Sequence, residues 1–535
     1  MRYFLSFLIL GNSLLPTHAS TPTHGAKLCS EIPAPHVLGA TIASIDSAIR
    51  TNFSVQSSPP TLAQDIVNLN VCEVNVTLTH TGSSDHVLVQ TWLPLKSWNK
   101  RFVAIGGGAW AAGLGAIDLA LPASQGYAVS STNAGLSGNP LSPDLWALKE
   151  DGTVNFELLE NFASRSIHDM AVVGQAVAAS FYGRPVKTSL WNGCSTGGRQ
   201  GLVAAQKYPE DFDGILAGAP AIYWTEYVVA ELWPQVVMKE EGYYPSNCEL
   251  DGIVQAAIRA CDNKDKVKDG IITSPFNCKF DPFTAVGTMA QCGEEQVEIT
   301  SQGAAIVRKI WDGPKTPSGE RLWPGIPIGA SFAALAYTTT EANGVNGTGV
   351  PFFLADAWVR YFVKENPEFD TTSLDSAQLV ELFYESKSKF GSIMDSADPD
   401  LSKFKKAGGK LLVWHGLADQ LIYPQDSIRY LQEVEQIMGG EVATKDFFRL
   451  FLAPGVDHCG FGPTPGAVPT APFNALLSWV ENGVVPEILE AETLPNSTAH
   501  FTRKICRYPL VAKYRGRGDR AAAKNYVCVK PKEDC

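Results

Sequence analysis

"NGCSTGGRQG", residues 192–201, decides the fold. Within it Gly193-Cys194-Ser195-Thr196-Gly197 fits G-x-S-x-G, the turn that presents a nucleophilic serine at the end of a strand. Residues 186–191 ahead of it read as a buried strand, and residues 198–208 behind it as a helix. One feature of the stretch needs a reason. A free thiol beside a nucleophile would be a chemical liability, whereas a cysteine bonded elsewhere could serve as a positioning device.

Working outward, residues 87–92 and 101–105 read as buried strands, the second running into Gly106-Gly107-Gly108, and residues 127–131 and 212–216 as further strands. Apolar residues at helical spacing mark a helix over 167–181. From about residue 221 to 390 the pattern changes to aromatic residues, loops and cysteines. Strand signals return at 410–414 and 448–452, each ending in a loop. Strands alternating with helices predict a mostly parallel sheet with reactive residues at the carboxyl ends of strands. The expected class is therefore α/β, an α/β-hydrolase fold with a large inserted lid. Residues 20–221 and 391–535 form the two parts of the catalytic domain, and 222–390 the lid.

The chain has 535 residues and a net charge of −12, with a hydrophobic fraction of 45% and a charged fraction of 18%. These values suit a globular protein and argue against nucleic-acid or anionic-membrane partners, which need a basic face. Residues 1–19 read as a secretory signal peptide: Met1-Arg2, an apolar run, then Pro16-Thr17-His18-Ala19. The run is shorter than the roughly 20 residues of a membrane span. The expected location is extracellular. Sequons at Asn52, Asn75, Asn346 and Asn496 are compatible with glycosylation in a secretory pathway. Eleven cysteines in an exported chain should be mostly disulfide-bonded, with Cys535 on the charged tail as the odd one left over.

In this fold the chain order is serine, acid, histidine. His458 and His500 lie after a plausible acid loop; His458 follows the strand at 448–452, whereas His500 has no strand ahead of it. His415 stands early and adjoins the acid loop, and is the weaker candidate for the base. Asp419 lies just past the strand at 410–414. Its rival Asp457 adjoins the histidine and cannot readily turn back to orient it. A serine hydroxyl becomes nucleophilic only when an imidazole removes its proton, and the imidazole needs a carboxylate to fix its tautomer. Ser195, Asp419 and His458 are thus the expected triad. Cys194 precedes the serine and Cys459 follows the histidine, so a bond between them would staple nucleophile to base. The oxyanion hole should combine the N–H of Thr196 with one from the glycine run, for which Gly108 is the choice.

Cys194-Ser195, Asp419 and His458-Cys459 resemble the CS-D-HC arrangement of the tannase and feruloyl esterase family. Gly193 through Gly201, Asp213-Gly214-Ile215, Ala219-Pro220-Ala221 and Gly408-Gly409-Lys410 add to the likeness, which covers nearly the whole mature chain. The resemblance implies a secreted serine esterase whose lid shapes the pocket for a phenolic acyl group. It implies a Cys194–Cys459 disulfide, and the pairs Cys29–Cys72, Cys248–Cys292, Cys261–Cys278 and Cys506–Cys528. The substrate would be a small phenolic ester or a feruloylated cell-wall polysaccharide. Feruloyl esterase is favoured over tannase by length, by the acid loop Ala418-Asp419-Gln420-Leu421-Ile422 and by the lack of a dibasic processing site in the lid. A non-catalytic binding protein would be expected to lack a triad member, and a peptidase of this fold would share the triad.

A second constellation is "CDNKDKVKDGII", residues 261–272. Taken alone, Asp262, Asp265 and Asp269 among three lysines read first as a solvated charged turn. The resemblance implies instead a structural calcium (Ca2+) loop. Its ligands would be the carboxylates of Asp262, Asp265 and Asp269 and the carbonyls of Val267 and Ile271, in a part of the lid remote from Ser195. Lys266 stands where family members often carry glycine. Oligomeric state is not readable.

Overall fold

The computed structural model describes residues 29–57, 64–340, 347–462, 464–497 and 499–531. The segment 1–19, Asn346 and Cys535 lie outside these residues. At the centre is a nine-stranded sheet. Its strands are β1 (Ala40–Val55), β2 (Ile66–His80), β3 (Val87–Pro94), β4 (Arg101–Ile105), β5 (Ala128–Thr132), β6 (Thr188–Cys194), β7 (Gly214–Gly218), β8 (Lys410–Gly416) and β9 (Phe448–Ala453). They lie in the order β1-β2-β3-β5-β4-β6-β7-β8-β9. The first three and β5 pair antiparallel, and every pair from β5–β4 onward is parallel.

Parallel strands with helical crossovers are buried on both faces, so they read as unbroken apolar runs. In β8, Leu411 and Val413 join one core while Leu412 and Trp414 join the other. Leu190 and Trp191 of β6 divide in the same way. One face is covered by α1 (Ala116–Ser124) and, from the end of the chain, the helix Pro472–Asn482, through Leu119, Ala120, Leu476 and Trp479. The other is covered by α2 (Ser166–Tyr182) and α3 (Thr196–Lys207), whose Ile167, Met170, Leu202 and Val203 share a core with β4 and β6. The helix Pro424–Met438 adds Tyr430, Leu431 and Val434 to that core.

Between β7 and β8 the chain leaves the sheet for the inserted lid. Its helices include α4 (Trp224–Ala230), α5 (Trp233–Glu241), α6 (Asn247–Cys261), α7 (Ser301–Asp312) and α8 (Ser376–Met394). The lid shares its apolar interior with the second face of the sheet. Trp110, on the loop after β4, is the hinge of this packing: its ring lies 5.4 Å from those of Trp224 and Phe362 and 6.3 Å from that of Trp358. Rings at these separations add attraction beyond buried area, which seats the lid on the loop beside the serine.

Among the described residues no helix is long and apolar enough to cross a membrane. The seven strands expected from sequence occur within three residues of their expected bounds. The β1–β2 hairpin was not expected. Its outer strand alternates half-buried with exposed residues and has no fully buried position, so it lacks the apolar run that marks the others.

Candidate functional site

The quoted stretch is a tight strand–turn–helix. Ser195 lies between β6 and α3 with φ 63° and ψ −122°, a region that costs a non-glycine residue strain and persists only where the surroundings impose it. The surroundings are backbone. A Cβ on Gly193 would sit 2.5 Å from the carbonyl carbon of Gly197, and one on Gly198 would sit 2.4 Å from the carbonyl oxygen of Gly218. The Ser195 N–H donates to the Gly218 carbonyl at 3.0 Å, which ties the elbow to β7.

The rest of the stretch builds the walls. The Thr196 hydroxyl donates to the Ala109 carbonyl at 2.8 Å. Arg199 is fully buried and, among the described residues, has no carboxylate partner; its guanidinium donates to the carbonyls of Phe162, Ala163 and Met394 at 3.0, 2.9 and 3.2 Å. Burial pushes it down to about 10. Within the glycine run after β4, the N–H of Gly106 donates to the Asn192 carbonyl and that of Gly107 to Gln200 Oε1. Both are committed; Gly108, the remaining member of the run, is bridged to Ala111 across the tight turn that follows.

Asp419 and His458 come from the loops after β8 and β9, at the same edge of the sheet as Ser195. His458 Nδ1 lies 2.8 Å from Asp419 Oδ2, and Oδ1 of the same carboxylate accepts the N–H groups of Leu421 and Ile422 at 2.9 Å. Asp419 is fully buried. Burial alone would raise its proton affinity, but the His458 charge and the hydrogen bonds from His415 and His458 outweigh it and hold the carboxyl far below the usual range. The His458 N–H donates to Gln420 Oε1 at 3.1 Å, so base loop and acid loop are joined directly.

The rival candidates lie apart. Among the described residues Asp457 makes no hydrogen bond to His458. Burial first, then the Asp419 charge, pushes it up to about 6. His500 is exposed. His415 is fully buried and touches Asp419 Oδ2 at 3.1 Å, the oxygen that also meets His458, a contact with no signal in the local sequence.

Cys194 is bonded to Cys459, with Cα atoms 6.1 Å apart across a sequence separation of 265. Bonds also join Cys29 to Cys72, Cys248 to Cys292, Cys261 to Cys278 and Cys506 to Cys528. Cys459 itself adopts φ 56°, so positive φ occurs at one half of the bond and, at Ser195, next to the other half.

In the acidic lid loop, Asp262 accepts the N–H groups of Asp269 and Gly270 at 3.1 Å, and Asp265 accepts the Val267 N–H and the Thr273 hydroxyl. Lys266 takes φ 71°, supplying the left-handed turn in place of glycine. Asp269 pairs with Arg503 through Oδ2 at 2.5 Å, while its buried Oδ1 has no partner among the described residues. Burial, together with the charges of Asp265 and Asp262, raises this carboxyl despite Arg503. The orphaned oxygen is one that a hard cation would satisfy. Among the described residues no three His, Cys, Asp or Glu side chains converge as a ready metal site. The loop packs against the segment that leads to His458. A Cβ on Gly455, three residues before His458, would lie 2.4 Å from the side chain of Ile271.

Of the sequons, Asn52 and Asn496 are exposed, whereas Asn75 lies mid-strand with its amide bonded to Glu73 and Gln90.

Comparison with known proteins agrees with this geometry. The family model described as tannase and feruloyl esterase matches residues 72–529. A probable feruloyl esterase of Arthroderma benhamiae is 48% identical over 94% of this chain and 93% of its own length. Two solved structures share the fold at 27% identity. The tannin acyl hydrolase of Aspergillus niger has a TM-score of 0.85 over 95% of each chain. Feruloyl esterase B of Aspergillus oryzae has a TM-score of 0.77 over 94% of this chain and all of its own. With the elbow, the acid and the base in fold order, the chain belongs to the tannase and feruloyl esterase family, carboxylic ester hydrolases built on the α/β-hydrolase fold.

Proposed function

We propose that the protein is a secreted feruloyl esterase that hydrolyses hydroxycinnamate esters of plant cell-wall polysaccharides through an acyl-enzyme. The observation that carries the mechanism is the 2.8 Å contact of His458 Nδ1 with Asp419 Oδ2, on a loop bonded through Cys459 to the residue before Ser195. With Nδ1–H held by the carboxylate, Nε2 takes the proton of the Ser195 hydroxyl as its oxygen attacks the ester carbonyl. The N–H groups of Thr196 and Gly108 receive the oxyanion. His458 returns the proton to the departing alcohol, and water repeats the sequence to release the acid. The feruloyl reading draws on the 48% identity to a probable feruloyl esterase, against 27% to the tannin acyl hydrolase. Galloyl esters are the second reading.

Residues 1–19 would direct export, and the exposed Asn52 and Asn496 would accept glycans. Calcium would be held in the lid by the carboxylates of Asp262, Asp265 and Asp269 and the carbonyls of Val267 and Ile271. Its part is structural, since none of the proton transfers above uses it.

The test is hydrolysis of methyl ferulate, p-coumarate, caffeate and gallate by the wild type and S195A. Hydroxycinnamates should turn over fastest, and S195A should lose at least about a thousandfold. A serine variant retaining a tenth of the rate sinks the mechanism. Preference for gallate replaces the substrate class and leaves the mechanism standing.

A further inference from the structure

His415, the penultimate residue of β8 before the acid loop, is fully buried and uses both ring nitrogens. Its Nε2 lies 3.1 Å from Asp419 Oδ2 and 2.8 Å from the Ile422 carbonyl oxygen, and its Nδ1 lies 2.8 Å from the hydroxyl of Ser427. Both neighbours of Nε2 are acceptors, so that nitrogen carries the hydrogen and donates; Nδ1 is served by the serine hydroxyl. Asp419 therefore accepts from two main-chain N–H groups on one oxygen and from two imidazoles on the other.

Two consequences follow from elementary hydrogen-bond chemistry. By bridging Asp419 to the carbonyl of Ile422, His415 closes the acid loop and fixes the direction of Oδ2. By sharing that oxygen with His458, it draws off part of the negative charge that holds the catalytic ring. We infer that His415 is a positioning residue that presents Asp419 Oδ2 to His458 and moderates its hold on that ring. The inference rests on the Ser195–His458–Asp419 reading.

Other titratable groups surround this unit. Asp457 adjoins His458, and Glu231 and Tyr227 face it from the lid. Tyr423 and Asp426 face it from the segment after the acid loop. Burial pushes Glu231 and Asp426 well up. Burial pushes the neighbouring Asp457 carboxyl up to about 6, so the effect of His415 must persist in a D457N background.

The test compares wild type, H415F, H415Q and S427A by kcat, KM and pH profile with p-nitrophenyl acetate, an ester that reports the triad whatever the preferred acyl group. H415F should lower kcat roughly ten- to a hundredfold with KM within about twofold. The acid limb of its kcat/KM profile should move to higher pH, because the unshared carboxylate stabilises a protonated partner more strongly. H415Q, which can place a donor near the Nε2 position, should recover most of kcat and return the limb. S427A should shift it in the same direction by less, and it keeps the test open if H415F does not fold. H415F and H415Q falling equally with an unmoved limb would show that the ring only fills space. Full activity of S195A on the same ester would remove the triad and this role with it.

Discussion

Gln200 clamps the loop that faces the nucleophile: its Oε1 accepts the Gly107 N–H at 2.9 Å, and its Nε2 donates to the Ala112 carbonyl at 2.9 Å. The amide is fully buried and spans the bend of that loop. Q200A should leave two main-chain groups without partners and loosen the loop that carries Gly108 and is tied to Thr196 through the Ala109 carbonyl. The expected result is a fall in kcat of about tenfold or more with KM little changed, since an oxyanion donor acts mainly in the transition state. A rise in KM alone would place Gln200 in substrate binding instead.

Replacing Cys194 and Cys459 together by alanine should remove activity out of proportion to stability. The other four bridges and the shared core remain, and what goes is the registration of a strained Ser195 against His458. A displacement of ~1 Å can cost ~100-fold. Turnover measured well below the melting temperature of the variant checks this; near-normal turnover with a lowered Tm would make the bridge structural only.

His80 gives the fold a pH dependence of its own. Its ring is buried, with Nδ1 2.6 Å from Asp85 and Nε2 3.0 Å from Asp169. Burial disfavours the charged ring, but the hydrogen bonds to Asp169 and Asp85 outweigh it and raise its proton affinity above the ordinary 6.5. A raised value means that the stabilisation is complete below about pH 6.5 and is lost as pH climbs through the folded value. The Tm gap between wild type and H80Q should therefore be widest near pH 6 and narrow on the alkaline side. A gap independent of pH would mean that the ring is neutral in its pocket.

Chelation should lower Tm. Because Ile271 packs on Gly455, it should also reduce turnover at temperatures approaching the melt. Metal analysis of undialysed protein should find about one calcium per chain. Protein free of calcium, with Tm indifferent to chelator, would leave the Asp269–Arg503 pair as the loop's whole neutralisation.

The elements that carry the candidate triad were readable because their signals are local. Apolar runs end at Cys194, Gly416 and Ala453, and each functional residue follows within a few positions. What could not be read depends on distant partners. Arg199 looks like a surface residue of a helix until the carbonyls of Phe162 and Met394 close over it, and nothing near Gln200 in sequence announces Ala112. His415 belongs to the same class: only the fold shows that its ring and that of His458 meet one oxygen. The edge strand β1 escaped for a different reason, since a half-exposed edge needs little apolar sequence, whereas β2 alternates buried Val74, Val76 and Leu78 with partly exposed polar residues instead of forming an unbroken apolar run.

The order in which the cysteines leave the ribosome gives the Cys194–Cys459 bond a kinetic meaning. Cys194 emerges 265 residues before its partner, and in that interval Cys248, Cys261, Cys278 and Cys292 appear, whose own loops span separations of only 44 and 17. Short loops close more readily than long ones, so the lid can be stapled while β8 and β9 are still unmade. The thiol beside the nucleophile then has no correct partner until the final sheet strand is in place. Oxidation of that pair is thus a late event in maturation, and a chain trapped before it would hold a finished lid over an unassembled triad.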